Sequence, residues 1–344
     1  FISASLLIVF SGFYLIDALV SPVYISLVFS FLIFFLFLSN KKSLPYDSIV
    51  GYFLLYLFYL TISQFLFSIP DTHTFFNVVL NIPYFVLGYF LLREMKEESI
   101  KLILKKFLGI SISLLLVEFL FRITHPIFIV EEGAKDLRDN SDLLFYAYKK
   151  SSLMFQDSNF TGIYAMVVFF LGLWSYKKNL YKSKLVLIFL LCFILGSLSR
   201  SVILATIISL LILPFMTSQK NTFLKILALC ITCFLILLLV PSVLGDDLSF
   251  NSKFIIIEKS IRYLSQADVT DILFGIGFGN TQAYIGIGAH NLILTHLIES
   301  GLMGLIFFFF IHYHLIKKSN RQILYLFIPF FISGFSLMGH ALTF

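Results

Sequence analysis

Charge is what this chain has least of. Only 13% of its 344 residues are charged, against 59% hydrophobic and 18% aromatic, and the mean hydropathy is +0.96. A soluble domain carries about 25% charged residues, so a solvated globular surface is excluded. Cysteine is scarce as well: Cys192, Cys230 and Cys233 complete the set. All three sit in apolar runs with no histidine at metal-ligand spacing, which argues against a disulfide framework or a zinc site and reads as small buried hydrophobes. Internal repeats, heptads and low-complexity tracts are absent, and so is the alternating ten-residue pattern of an outer-membrane barrel. The acidic pairs Glu131–Glu132 and Asp246–Asp247 lack a surrounding ligand set. Neither a metal nor a cofactor is therefore expected.

What the chain does have is one long apolar run after another. Runs of about 17–25 residues match the thickness of a bilayer, and in lipid a helix satisfies its own backbone hydrogen bonds. The expected fold is an all-α, polytopic integral membrane protein, a single transmembrane domain over 1–344 with about eleven spanning helices. They fall at 1–19, 23–39, 48–68, 74–92, 107–121, 160–176, 185–198, 201–217, 226–244, 292–313 and 323–344. The first run lacks a basic leader and a small-residue cleavage site, so it reads as a membrane helix and not as a signal peptide. The chain starts without methionine and stops inside an apolar run, which leaves room for further residues at both ends, a twelfth helix among them.

With the N-terminus in the cytoplasm, the loops after 39, 92, 176, 217 and 313 are cytoplasmic and hold most of the 25 basic residues. That bias accounts for the net charge of +6 without a nucleic-acid partner. It also turns the two long polar segments, 122–159 and 245–291, outward, where loops on a rigid scaffold carry function.

Arg200 is the sharpest single signal. It stands in GSLSRSVILATIISLL between two apolar runs, on the outward side, against the positive-inside trend. A charge in such a place faces a cavity or a partner: an anionic ligand, or a carboxylate of an outer loop. Arginine suits phosphate because its planar fork donates two hydrogen bonds. The second outer segment carries Phe254, Ile257, Ile261 and Leu264 at helical spacing, with Lys259, Arg262 and Gln266 on another face. This is the pattern of an amphipathic helix in the membrane interface. Lys253 or Arg262 either joins Arg200 around a phosphate or only meets lipid headgroups. A glycine-rich stretch, GIGFGNTQAYIGIGAHN, then delivers His290 and Asn291 to the mouth of an apolar helix. Histidine can take a proton from a hydroxyl near neutral pH; alone it is more often structural. His296 and Glu299 share a face of that helix, and Gly301 and Gly304 are spaced for close approach by another helix. The aromatics of the first outer segment, Phe145, Tyr146 and Tyr148, suit sugar stacking or an ordinary folded loop equally.

Taken in order, DSNFTG at 157–162, SLSR at 197–200, GIGFGN at 275–280 and AHNLILTHLIESGLMG at 289–304 resemble the O-antigen polymerase and O-antigen ligase superfamily. These are polytopic bacterial glycosyltransferases that use undecaprenyl-diphosphate-linked glycans at the periplasmic face of the inner membrane. The resemblance implies a metal-independent enzyme of the GT-C type. Arg200 and one further basic residue, Lys253 or Arg262, would hold the donor diphosphate. His290 would activate the acceptor, and Asn159 and Asn291 would bind substrate. Where the family often has arginine near the start of the amphipathic segment, this chain has Lys253. A polymerase, acting on a lipid-linked donor and acceptor with a chain-length regulator as a candidate partner, is favoured over a ligase that moves glycan to lipid A–core. The alternative from another class is a transporter, such as a lipid-linked oligosaccharide flippase; the inverted repeats and mid-membrane sites of many transporters are not evident.

Overall fold

The computed structural model of the protein describes residues 25, 28–29, 32, 39, 47–68, 71, 74–75, 85–86, 88–90, 92–93, 95–126, 147–149, 151–154, 158–217, 248–286 and 290–337. The helices expected at 1–19 and 226–244, most of those at 23–39 and 74–92, much of the first outer segment and the end of the last helix lie outside them. Among the described residues the chain is helical, with no strand. Ten helices are defined: α1 (Ser48–Leu66), α2 (Glu97–Thr124), α3 (Ser158–Lys177), α4 (Lys184–Gly196), α5 (Arg200–Thr217), α6 (Leu248–Gln266), α7 (Val269–Phe274), α8 (Thr281–Ile285), α9 (Leu292–Lys318) and α10 (Leu324–Leu337). Five of them, α1, α2, α3, α5 and α9, are long and apolar enough to cross a membrane. Large side chains such as Phe58, Leu66, Leu120 and Ile207 stay exposed on their flanks, as lipid contact requires.

Local chemistry sets the helix ends. The Asp47 carboxylate accepts from Ile49 N–H at 3.0 Å and caps α1. Asn291 Oδ1 accepts from Ile293 and Leu294 N–H, both at 3.1 Å, and caps α9. Such side chains satisfy amides that a helix start leaves unpaired. The α2 helix is longer than the expected 107–121. Glu97 and Glu98 occupy its first turn, where the helix dipole favours acids, and Glu97 pairs with Lys101 at 2.8 Å. The charged stretch after residue 96 is therefore helix, not loop.

The chain divides into two compact units: residues 1–43 with 87–206, and residues 44–86 with 207–344. In the first, α2 and α3 run antiparallel. Ser111 bonds Tyr164 at 2.9 Å and Arg122 bonds Thr161 at 2.8 Å, while Leu108 lies beside Gly172. The α4 helix returns along α3, with Leu187 at Gly172 and Ser197 at Gly162. Lysines 101, 105, 106, 177, 178, 182 and 184 thus collect at one end, and Asn159 and Arg200 lie at the other.

In the second unit α1 packs on α9. Tyr52 meets Phe310 (ring centroids 4.9 Å apart) and Tyr59 meets Phe307 (5.1 Å), while Lys318 bonds Asp47. The α9 helix is not the straight span expected from 292. Gly301 has φ 68 and ψ −179, outside the helical region. A straight helix would separate His296 and Phe308 by roughly 18 Å along its axis; their rings are 4.8 Å apart. The first turns of α9 fold back along the rest of the helix.

Candidate functional site

In the first unit, two of the sequence motifs come together. Asn159, in the first turn of α3, accepts a hydrogen bond from Ser199 Oγ at 2.6 Å. Ser199 itself precedes Arg200, the first residue of α5. The turn between α4 and α5 takes only three residues, and Leu198 adopts the left-handed region at φ 54 to make it. Ser197 Oγ bonds Ile194 O at 2.7 Å and receives Ser199 N–H at 3.3 Å. Glycine at 162 allows the close approach: a Cβ there would lie 2.8 Å from Ser197 Oγ. Arg200 is exposed at this end of the unit.

Behind these motifs lies a network that the sequence reading missed. Glu118 and Arg122, each 2% exposed, form a buried ion pair one helical turn apart. Arg122 Nε and Nη2 donate to Glu118 Oε1 at 2.8 and 2.7 Å, and Nη2 also donates to Thr161 Oγ1 at 2.8 Å. Glu118 further accepts from Ser152 Oγ at 2.6 Å and from Leu153 and Met154 N–H at 2.8 and 3.2 Å. The pair thus fastens the returning end of the first outer segment, 151–154, to α2 and to the start of α3. The guanidinium carbon lies 5.9 Å from the Tyr148 ring centroid. Burial raises the Tyr148 phenol above its ordinary pKa, with Arg122 partly opposing the shift.

The second unit holds the other candidates. His290 is exposed and directly precedes the cap of α9. Asn291 is turned to structure: besides capping, its Nδ2 donates to Phe335 O at 3.0 Å. The Lys253 ammonium donates to Ser336 O, so it holds α6 to the end of α10. Arg262 is exposed and pairs only loosely with Glu258 at 3.2 Å, across a solvent-facing turn of α6. On that helix Phe254, Ile257 and Ile261 form an exposed apolar stripe, while Ile256 and Ser260 turn inward with the half-buried Tyr263 and Leu264. Burial and the neighbouring Asp271 carboxylate push the Tyr263 phenol up.

The glycine loop does not hang free between α7 and α8. It docks on the break in α9: Ile276 N–H donates to Ile298 O at 3.0 Å and Gly277 N–H to Glu299 O at 3.1 Å. Gln64 of α1 closes the arrangement, accepting from Phe278 N–H at 2.7 Å and donating to Glu299 O at 3.2 Å. The backbone groups released by the break are thereby paired, as a buried chain requires. Gly301 and Gly275 are matched here. A Cβ on Gly301 would lie 2.3 Å from Leu273 O, and one on Gly275 would lie 2.4 Å from the Glu299 backbone. The close approach expected of another helix is made at Gly301 by the last turn of α7, Leu273 and Phe274, and at Gly304 by Tyr59 of α1. His296 Nε2 pairs with Tyr56 Oη at 2.7 Å, and Glu299 pairs with the backbone and hydroxyl of Thr281.

Among the described residues no cluster of histidine, cysteine or acidic side chains could hold a metal ion. No protein-family model, no curated protein and no solved structure matches the chain. What the described residues define is an all-helical fold with apolar helices suited to a membrane-embedded protein.

Proposed function

We propose that the protein is a metal-independent glycosyltransferase of the bacterial inner membrane, an O-antigen polymerase that joins undecaprenyl-diphosphate-linked repeat units at the periplasmic face. In this reading the chain crosses the membrane about eleven times, and the candidate residues face the periplasm. The observation that carries it is the Asn159–Ser199 hydrogen bond at 2.6 Å, which joins two motifs distant in sequence and presents Arg200 at an exposed helix start opposite the lysine-rich end.

The chemistry follows from what breaks. A hydroxyl oxygen of the acceptor sugar attacks the anomeric carbon of the donor glycan, and the bond from that carbon to the phosphate oxygen breaks. Undecaprenyl diphosphate leaves with the electron pair. A fixed guanidinium lowers the barrier by meeting charge that grows on the leaving group, which is the part given to Arg200. The hydroxyl proton passes to the His290 imidazole. Arg262, exposed on an interfacial helix, suits a lipid diphosphate better than Lys253, whose ammonium is engaged with Ser336 O.

The test is reconstitution in proteoliposomes with lipid-linked repeat units extracted from the native host. The wild-type protein should form polymer and release undecaprenyl diphosphate in the presence of a chelator. Arg200→Ala and His290→Ala should each lower turnover by about 10²-fold or more while keeping the wild-type gel-filtration profile. Transfer only when lipid A–core is added would make the protein a ligase. Movement of the lipid-linked unit across the bilayer without a new glycosidic bond would make it a flippase. Near-normal polymer from both variants would remove the mechanism.

A further inference from the structure

We propose that Glu299 is a positioning residue: through Thr281 it latches the His290 loop to the break in α9. The inference rests on the role given to His290 above. Glu299 is 1% exposed, and no step of the chemistry needs it. Yet it receives four hydrogen bonds from chain distant in sequence. Its carbonyl takes Gly277 N–H at 3.1 Å and Gln64 Nε2 at 3.2 Å. Its Oε1 takes Thr281 N–H at 3.3 Å and the Thr281 hydroxyl.

Thr281 opens α8, which leans on α6 through Tyr284 and Tyr263, ring centroids 5.8 Å apart. The α8 helix ends at Gly286 in the left-handed conformation, φ 75, shortly before His290. At the far end Asn291 is held by its cap and by Phe335 O. The described residues on either side of His290 are therefore held, on the α8 side by Thr281 to Glu299 and by Ile285 packed with Ile276 and with Ile298 of α9. A base that is held loosely spends little time in line with the hydroxyl it must deprotonate. A merely structural Glu299 would affect folding and leave turnover per folded molecule unchanged.

Thr281→Val removes the hydroxyl at nearly constant volume, and Thr281→Ser keeps it. We expect Thr281→Val to lower kcat by about 10²-fold at unchanged KM for the lipid-linked donor, and Thr281→Ser to restore it. Hydrogen exchange in detergent should show amides 281–285 about tenfold less protected in the valine variant. Amides 276–278, bonded to α9 and Gln64, should keep their protection and report an intact fold. Faster exchange with full turnover would overturn the positioning role. Equal losses from valine and serine, or unchanged exchange, would overturn the latch. An inactive wild-type protein would sink the glycosyltransferase reading and the positioning role with it, while the exchange comparison would still decide whether the latch exists.

Discussion

At the scale of single residues, the Glu118–Arg122 pair sets the strongest constraint on the first unit. Two charges that are each 2% exposed are costly to desolvate, and Arg122 Nη1 has no hydrogen-bond partner among the described residues. What holds the pair there is the set of bonds around Glu118, which gathers α2, α3 and 151–154. Removing one partner leaves the other charge buried alone, at a cost of about 3–5 kcal/mol. Removing both is far cheaper, since apolar residues of similar volume replace a buried pair with little loss. Thermal unfolding in detergent should therefore rank Glu118→Leu well below Glu118→Leu/Arg122→Met, with the double variant near wild type. A double variant as unstable as the single would show that the bonds to 151–154, not the ion pair, carry the stability. The pair was legible in part. A glutamate and an arginine four apart beside an apolar run mark a buried polar contact in a membrane helix. Ending that helix at 121 put Arg122 in a loop and hid the spacing. Arg200 stands out by its place between two apolar runs, and Asn159 through the DSNFTG motif; the hydrogen bond through Ser199 that links their motifs has no sequence signature.

At the scale of elements, hydrophobic runs marked where helices are and not whether they are continuous. α1, α3, α4 and α5 begin and end within two residues of the ends read from the sequence, because an apolar run sets them, with a capping side chain at the starts of α1 (Asp47) and α4 (Ser183). The α9 helix defeated that logic. Its apolar pattern crosses the break without a change in composition, and the glycine that makes the break looks like a helix-packing glycine. Only the partner, the last turn of α7 with Gly275 at its end, distinguishes the two. The distinction is testable. Packing glycines tolerate alanine when the neighbour can shift, whereas Gly301 sits at φ 68 with a backbone oxygen 2.3 Å from where a Cβ would go. Gly301→Ala should leave little folded protein by gel filtration in detergent. Gly109→Ala, in the interior of α2 with nothing within 4 Å of the new Cβ, should be stabilised by about 0.5–1 kcal/mol. Normal folding of Gly301→Ala would mean that α9 runs straight through this position.

At the scale of the whole molecule, charge and geometry divide the ends of the helices into two sides within each unit. In the first unit the lysines gather at the end opposite Arg200. In the second, α1 has Asp47 bonded to Lys318 at one end and Gln64 bonded to the glycine loop at the other. Its 19 residues span about 28 Å, close to the thickness of a hydrocarbon core. A crossing by α1 would set its start and the end of α9 on one side of the bilayer and the glycine loop on the other. In the function proposed above, the positive-inside rule turns the lysine-rich ends toward the cytoplasm. Single cysteines, placed in a background lacking Cys192, Cys230 and Cys233, test this with a membrane-impermeant maleimide on intact spheroplasts. Lys182→Cys and Lys317→Cys should react only after the membrane is broken. Gln282→Cys, exposed on α8, should react in intact cells. Labelling at 182 and 317 but not at 282 would invert the protein and set its candidate residues in the cytoplasm, where a polymerase of periplasmic lipid-linked glycan could not work. Labelling at 282 and 317 from the same side would contradict the crossing of α1 itself.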